Sequence, residues 1–239
     1  MIEWQVVDGL FVLSRTRQIE LDRAKQERNC VLKLGYSAVR KIDTDYDVSG
    51  KGNHGTITGA TWVRLPSGLW VLNFDGVDDY VDAGGITFFD LATPCVEAWV
   101  RMSADTTGEI FSKFDSVNGY AGFILRYNTT GTKFEFFAGW TSGPASSAAI
   151  SLDTWYHVVG LHVASPIRTS IYVNGVIGTN GATPVSPVAM TTKLFIGIRA
   201  DLTNDLNGRL ALRRVYNTPL TVAQIASHYN QERHLFNIK

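Results

Sequence analysis

Cysteine is nearly absent from this chain: two among 239 residues, Cys30 and Cys95. Their spacing matches no zinc motif, and two thiols cannot build a disulfide scaffold. They are expected as buried, unreactive thiols rather than as a bridge. An excess of charge is missing too. Lys and Arg total 22, Asp and Glu total 22, and the formal net charge is zero. Such a balance exerts no overall pull on nucleic acid or an anionic membrane, so no nucleic-acid partner is expected. No apolar run approaches the ~20 residues of a spanning helix, and no membrane insertion is expected. The start, MIEWQVVDGLFVLSRTR, has no basic residue before its apolar part, and Asp8-Gly9 interrupts it. It does not read as a secretory signal, so synthesis without Sec export is expected. The glycine-rich stretch 50–59 lacks the lysine and hydroxyl of a P-loop. Ser112, Cys95 and the five histidines form no recognisable catalytic motif.

What is present is strand and turn. Apolar residues make up 45% of the chain, enough for a real core. From about residue 46, short β-prone runs alternate with turn residues: GLWVLNF (68–74), DYVDA (79–83), VEAWVRM (96–102), EIFSKF (109–114), GFILRY (122–127) and KFEFFAG (133–139). WYHVVGLHV (155–163), SIYVNGVIG (170–178), KLFIGI (193–198) and GRLALRRVYN (208–217) follow. Regular short strands with turn signals mean a sandwich or barrel. Asn174-Gly175 predicts a type I′ hairpin. Thr221 with Gln224 forms a capping box, and Leu220 with Ile225 the matching staple, so a helix is predicted to about Glu232. His157 shares a strand face with Trp155 and Val159 and is expected as a packed structural residue, and the His54 ring as the anchor of a turn.

Residues 1–45 read differently, as an N-terminal arm. Ile19, Arg23 and Gln26 fall at helical spacing, predicting a helix over about 15–29, and Val31–Leu34 could begin a strand. Beside Met1, eight of the first thirteen residues are apolar: Ile2, Trp4, Val6, Val7, Leu10, Phe11, Val12 and Leu13. Leaving large apolar side chains in water costs about 1.5–3 kcal/mol each. The arm is therefore expected to dock on another subunit or an assembly partner, with Trp4, Leu10, Phe11 and Leu13 as anchors. The competing expectation is that it folds back on its own sandwich as an extra strand or helix.

The stretch FDGVDDYVDAGG holds Asp75, Asp78, Asp79 and Asp82 within eight positions. Aspartates suit turns because they bond their own backbone, and they also suit calcium. SGKGNHGTITGATWV, LNFDGVDDYVDAG, VEAWVR, DTWYHVVG, IYVNG and LNGRLALRRVYNTPLTVAQIASHY occur in that order. In this the chain resembles the laminin-G-like jelly rolls of the concanavalin A-like lectin/glucanase superfamily, over about residues 46–235. The resemblance implies an all-β fold: an antiparallel two-sheet jelly-roll sandwich with a short C-terminal helix, over residues 46–239 behind the arm. It places FDG…DYV in a rim hairpin, with the aspartates at the turn.

Several functions are compatible with that fold. The glucanases of the superfamily carry E-x-D-x-x-E or E-x-D-x-E on one strand. Here Glu97 is followed by Trp99 and Glu135 by Phe137, so no enzyme is expected and a glycoside hydrolase is the distant alternative. By order of elements, Asp105 and Asp201 match rim calcium positions of pentraxin-like relatives, with Asp78 and Asp79 as alternatives. Ala211 and Leu212 stand where related jelly rolls often carry an acid pair. Calcium is the one cofactor under consideration. Sugar binding would use aromatic platforms, for which Trp140, Tyr120 and Tyr127 are the candidates. Laminin-G-like jelly rolls work outside cells, while this N-terminus does not read as a signal. A virion component satisfies both: a capsid decoration, fibre or tail adhesin, non-catalytic, self-associating through its arm and displayed on the virion surface. A carbohydrate-binding lectin that meets host-surface glycans, in an extracellular setting, is the alternative.

Overall fold

The computed structural model describes residues 4–7, 10–13, 28–37, 41–85, 87–115, 121–139, 144–181, 187 and 190–239. The helix predicted over 15–29 lies almost wholly outside the described residues.

Two eight-stranded antiparallel sheets face each other. The first runs in the order β13 (Ala145–Ala149), β12 (Lys133–Ala138), β11 (Ala121–Asn128), β10 (Gly108–Asp115), β17 (Phe195–Ile196), β8 (Tyr80–Asp82), β5 (Gly55–Thr58), β4 (Thr44–Asp45). The second runs β16 (Val176–Ile177), β15 (Ile167–Val173), β14 (Tyr156–Ala164), β9 (Cys95–Met102), β18 (Asn207–Tyr216), β7 (Trp70–Asp75), β6 (Thr61–Arg64). Strand β3 (Cys30–Leu34) completes it by pairing with the far half of β18, end to end with β7. The sandwich therefore begins at Cys30, not at residue 46. Leu32 and Leu34 are fully buried, and leaving such a strand outside would expose both the ladder and its leucines.

Alternation fills the core. Val96, Ala98, Val100 and Met102 of β9 point inward and meet Phe111, Leu125, Tyr127, Phe134 and Phe136 of the first sheet. The sheets approach closely at Gly160: a Cβ there would lie 2.3 Å from the Phe136 ring. Opposite the core, β9 presents Glu97 and Trp99 outward. A bulge in β18 between Ala211 and Arg214 changes the strand's parity. Val215 thereby stays inside, Arg214 turns outward opposite Glu97, and Arg213 is buried against Asp45 at 2.7 Å.

The helix α1 (Val222–Glu232) forms with the predicted cap: Thr221 accepts from the Gln224 N–H, and the Gln224 side chain accepts from Thr221 N–H. Leu220 and Ile225 enter one buried cluster with Cys30, Cys95 and Tyr216. With the turn Arg233–Phe236, α1 covers the outer face of the second sheet, where Trp99 stacks on Phe236. Asn174 and Gly175 both have positive φ, as a type I′ turn requires. Cys30 and Cys95 pair with Tyr216 from opposite sides of β18. That puts them two strand spacings apart, about 9–10 Å, too far for a disulfide, and both are free.

Among the described residues β1 (Trp4–Val7) and β2 (Leu10–Leu13) form a third, two-stranded sheet, in the register Trp4 to Leu13 and Val7 to Leu10.

Candidate functional site

Three polar constellations stand out among the described residues. The first is the acidic turn. Asp75, Asp78 and Asp79 bring carboxylate oxygens within 4.8 Å of one another. The turn logic holds: Asp75 accepts from Val77 N–H at 2.9 Å, and the buried Asp79 accepts from Asp75 N–H at 2.8 Å. Burial, and then the charges of Asp75, Asp78 and Asp205, push the Asp79 carboxyl upward. Asp205 is raised by burial and by Asp78 and Asp75. Such mutual repulsion is what a divalent cation relieves, so the donor set fits a hard cation as well as a turn. Asp105 and Asp201 do not join it. Asp105 accepts from the Tyr127 hydroxyl at 2.6 Å. Asp201 is tied to Arg199 at 2.9 Å and Thr203 at 2.6 Å. The alternatives, Asp78 and Asp79, are the ones brought together, with Asp75.

The second constellation lies under α1. Glu97 is fully buried, and its carboxylate accepts from four donors: His157 Nε2 at 2.6 Å, His228 Nδ1 at 2.8 Å, Arg214 Nη1 at 2.6 Å and Tyr216 OH at 3.0 Å. Glu232 of the helix receives Arg214 Nη2 and the Trp99 indole N–H. Burial opposes ionisation of Glu97, but Arg214, His228 and His157 outweigh it and hold the carboxyl well below the usual range. Every oxygen is engaged inside the protein and no lone pair faces solvent. This network fastens the helix to the sheet. His157 is the packed, hydrogen-bonded residue expected. His54 likewise anchors a turn, its Nδ1 accepting from Asp47 N–H at 3.0 Å.

The third constellation occupies the outer face of the first sheet, where Glu109, Glu135 and Phe137 are buried and Arg126 is partly exposed. Glu109, Arg126 and Glu135 are successive partners across β10, β11 and β12. Arg126 donates through Nε and Nη2 to Glu135 Oε2 at 3.0 and 2.8 Å, and Asn128 donates to the same oxygen at 2.9 Å. The Arg126 guanidinium lies 4.7 Å from the Phe137 ring centre. Phe137 belongs to a small apolar cluster with Phe114 and Ile124 on the same face. Glu109 is fully buried; Oε1 accepts from Asn204 at 3.1 Å and Oε2 has no hydrogen-bond partner. Burial pushes its carboxyl up to about 7, partly countered by Asn204, Arg126 and Arg199. Sequence reading missed this row. Its signal was an acid-base-acid set on three adjacent strands, visible only once the register is known.

Of the expected sugar platforms, Tyr127 is fully buried in the sandwich core, with burial and then Asp105 raising its hydroxyl to about 12. It points inward because it alternates with Arg126, and so offers no face to a ligand. Tyr120 and Trp140 lie outside the described residues, as do the side chains of Trp4, Leu10, Phe11 and Leu13. No described helix is long and apolar enough to cross a membrane.

This architecture is shared with solved proteins at low identity. A Trypanosoma rangeli sialidase bound to 2,3-difluoro-KDN superposes with TM-score 0.67 and 18% identity, over 88% of this chain and 34% of that one. The binding domain of Paraclostridial Mosquitocidal Protein 1 gives TM-score 0.65 and 13% identity, over 86% and 53%. A mutant of HCR/D gives TM-score 0.62 and 14% identity, over 87% and 52%. The chain thus spans between a third and about half of these proteins, and the likeness is one of fold. A search of the curated proteins gives no match. A family model described as the concanavalin A-like lectin/glucanase superfamily matches residues 75–226, more than half of the chain. The matched span runs from the acidic turn through the long strand β18 into α1, and the chain belongs to the concanavalin A-like lectin/glucanase superfamily.

Proposed function

We propose that this lectin-like sandwich is a non-catalytic adhesive module of a surface assembly, joined to further copies of itself through its N-terminal hairpin and displayed on a virion surface as a decoration, fibre or tail adhesin. The observation that carries this reading is the separate sheet of β1 and β2. The two strands, WQVV and LFVL, pair from Trp4 with Leu13 to Val7 with Leu10 and are apolar apart from Gln5. Among the described residues neither strand pairs with the sandwich. A two-stranded hairpin alone is marginal in water. Seven apolar side chains carry roughly 700–1,000 Å² at ordinary burial values, comparable to one partner's share of a stable interface, about 800 Å². The strands carry no charge, so identical hairpins meet without repulsion.

Sedimentation equilibrium of the full chain tests it. The wild type should associate, and Val6→Asp with Phe11→Asp should give monomers whose melting temperature is unchanged. A monomeric wild type would refute self-association. A melting temperature lowered in the variant would support fold-back on the sandwich instead. Absence of catalysis is supported by the engagement of Glu97 and Glu135 in internal ion pairs. A screen on β-glucans, galactans and sialosides should give no turnover, and turnover abolished by Glu135→Gln would overturn it.

A second reading, that the sandwich is a carbohydrate-binding lectin, is favoured by the partly exposed polar groups Arg126, Lys133 and Arg199 on the first sheet and its flanking loop. Relatives of the same fold include proteins whose names record a sialidase and a binding domain.

A further inference from the structure

We propose that the outer face of the first sheet, around Arg126, Lys133 and Arg199, binds the carboxylate of an acidic saccharide, and that the charge state of Glu109 gates this binding. The inference rests on the lectin reading and not on assembly through the hairpin. The donors come first. Arg126 and Arg199 each spend Nε and Nη2 on internal acceptors, Glu135 for the former and Asp201 with Thr203 for the latter. In each the Nη1 group has no hydrogen-bond acceptor among the described residues. Lys133 stands 3.5 Å from Glu135, beyond hydrogen-bond reach in good geometry. All three side chains are between 20 and 30% exposed. They are held in place and still reachable.

The charge count points to an anion. Three cations, Arg126, Lys133 and Arg199, face two ionised carboxylates, Glu135 and Asp201. Glu109 decides the rest. It sits fully buried beneath this patch, with Arg126 from β11 and Arg199 and Asp201 from the loop after β17 acting on its carboxyl. One of its oxygens is unpartnered and the other is held by Asn204. When Glu109 is neutral the face carries one net positive charge; when it ionises, none. The groups left free are cationic donors, which suit a carboxylate. The Asn128 amide is spent on Glu135 and Thr130, and the Phe137 ring is buried beneath the Arg126 guanidinium, which it holds in place. The two planar Nη1 donors and the Lys133 ammonium are what the carboxylate of such a saccharide would meet.

Isothermal titration of the full chain tests the inference. Sialyllactose, hyaluronan hexasaccharide and alginate hexasaccharide serve as acidic probes, lactose as the neutral control and sodium acetate as the free carboxylate. At least one acidic saccharide should bind at pH 6 while lactose and acetate do not. Affinity should fall on going to pH 8, by on the order of 2- to 30-fold for one charge ~8 Å from the ligand. Arg199→Gln and Lys133→Gln, both at partly exposed positions, should each weaken binding by a similar factor. Glu109→Gln should hold the pH 6 affinity at both pH values. Binding of none of the three acidic probes, or equal binding of acetate, would overturn the site. A fall with pH that survives in Glu109→Gln would overturn the gating role. Sedimentation is untouched by any of these results, so failure here and failure of hairpin assembly are separable.

Discussion

Replacing Glu109 by glutamine should stabilise the protein at pH 8 and leave it unchanged at pH 4. The Glu109 carboxyl is raised from 4.5 to about 7 because it is buried and only partly compensated by Asn204 and two arginines. In the unfolded chain the group loses its proton near 4.5. Between these two values the native state keeps a proton that the unfolded state has released. Stability therefore falls as pH rises through that window, and the loss is complete above about 7. A rise of this size corresponds to about 3 kcal/mol. Glutamine has nearly the same shape, retains an acceptor for Asn204, and cannot ionise. Other carboxyls titrate in the same window, so the quantity to measure is the difference between variant and wild type. Urea denaturation at pH 4 and pH 8 supplies it. The variant should match the wild type within about 0.5 kcal/mol at pH 4 and exceed it by up to about 3 kcal/mol at pH 8. An equal difference at both pH values would refute the reasoning, because it would mean that Glu109 ionises in the native state as it does in water.

Glu97→Gln should destabilise by about 3–5 kcal/mol in urea, since it leaves Arg214 and two histidines under α1 without their carboxylate; wild-type stability would contradict the latch. Gly160→Ala should cost about 1–3 kcal/mol by driving a methyl into Phe136, and a neutral effect would mean that the sheets are further apart than described. In EGTA, Asp78→Asn should raise the melting temperature by removing a like charge beside Asp79 and Asp205. Added calcium should then stabilise the wild type more than this variant. A variant that melts lower in EGTA, or calcium shifts that are equal in both proteins, would sink the electrostatic account of the turn.

Most of the architecture is legible in the sequence, because alternation and turn chemistry are local. Apart from β13, whose ASSAA carries no β-branched or aromatic residue, the strands from Trp70 onward, the Asn174-Gly175 turn and the Thr221 cap follow from neighbouring residues. The sandwich's own first strand is where local reading fails. Cys30–Leu34 looks like part of an arm until β18 is known to have a free ladder beside β7. The polar sites fail for the same reason. Glu97 meets His157, Arg214 and His228 across 60 to 131 positions, and the bulge that turns Arg214 outward has no sequence marker: Leu212 takes positive φ without being glycine. Tyr127 was a surface candidate by residue type, and only its register against Phe134 shows that it points inward.

Hydrogen exchange read by mass spectrometry at two protein concentrations tests assembly through the hairpin most directly. Amides of β9, β14 and β18 report the sandwich and should be protected equally at both. Amides of Trp4–Val7 and Leu10–Leu13 should be protected at high concentration and exchange freely once dilution separates the copies. Hairpin protection that does not change with concentration would contradict the account and place the hairpin on its own sandwich.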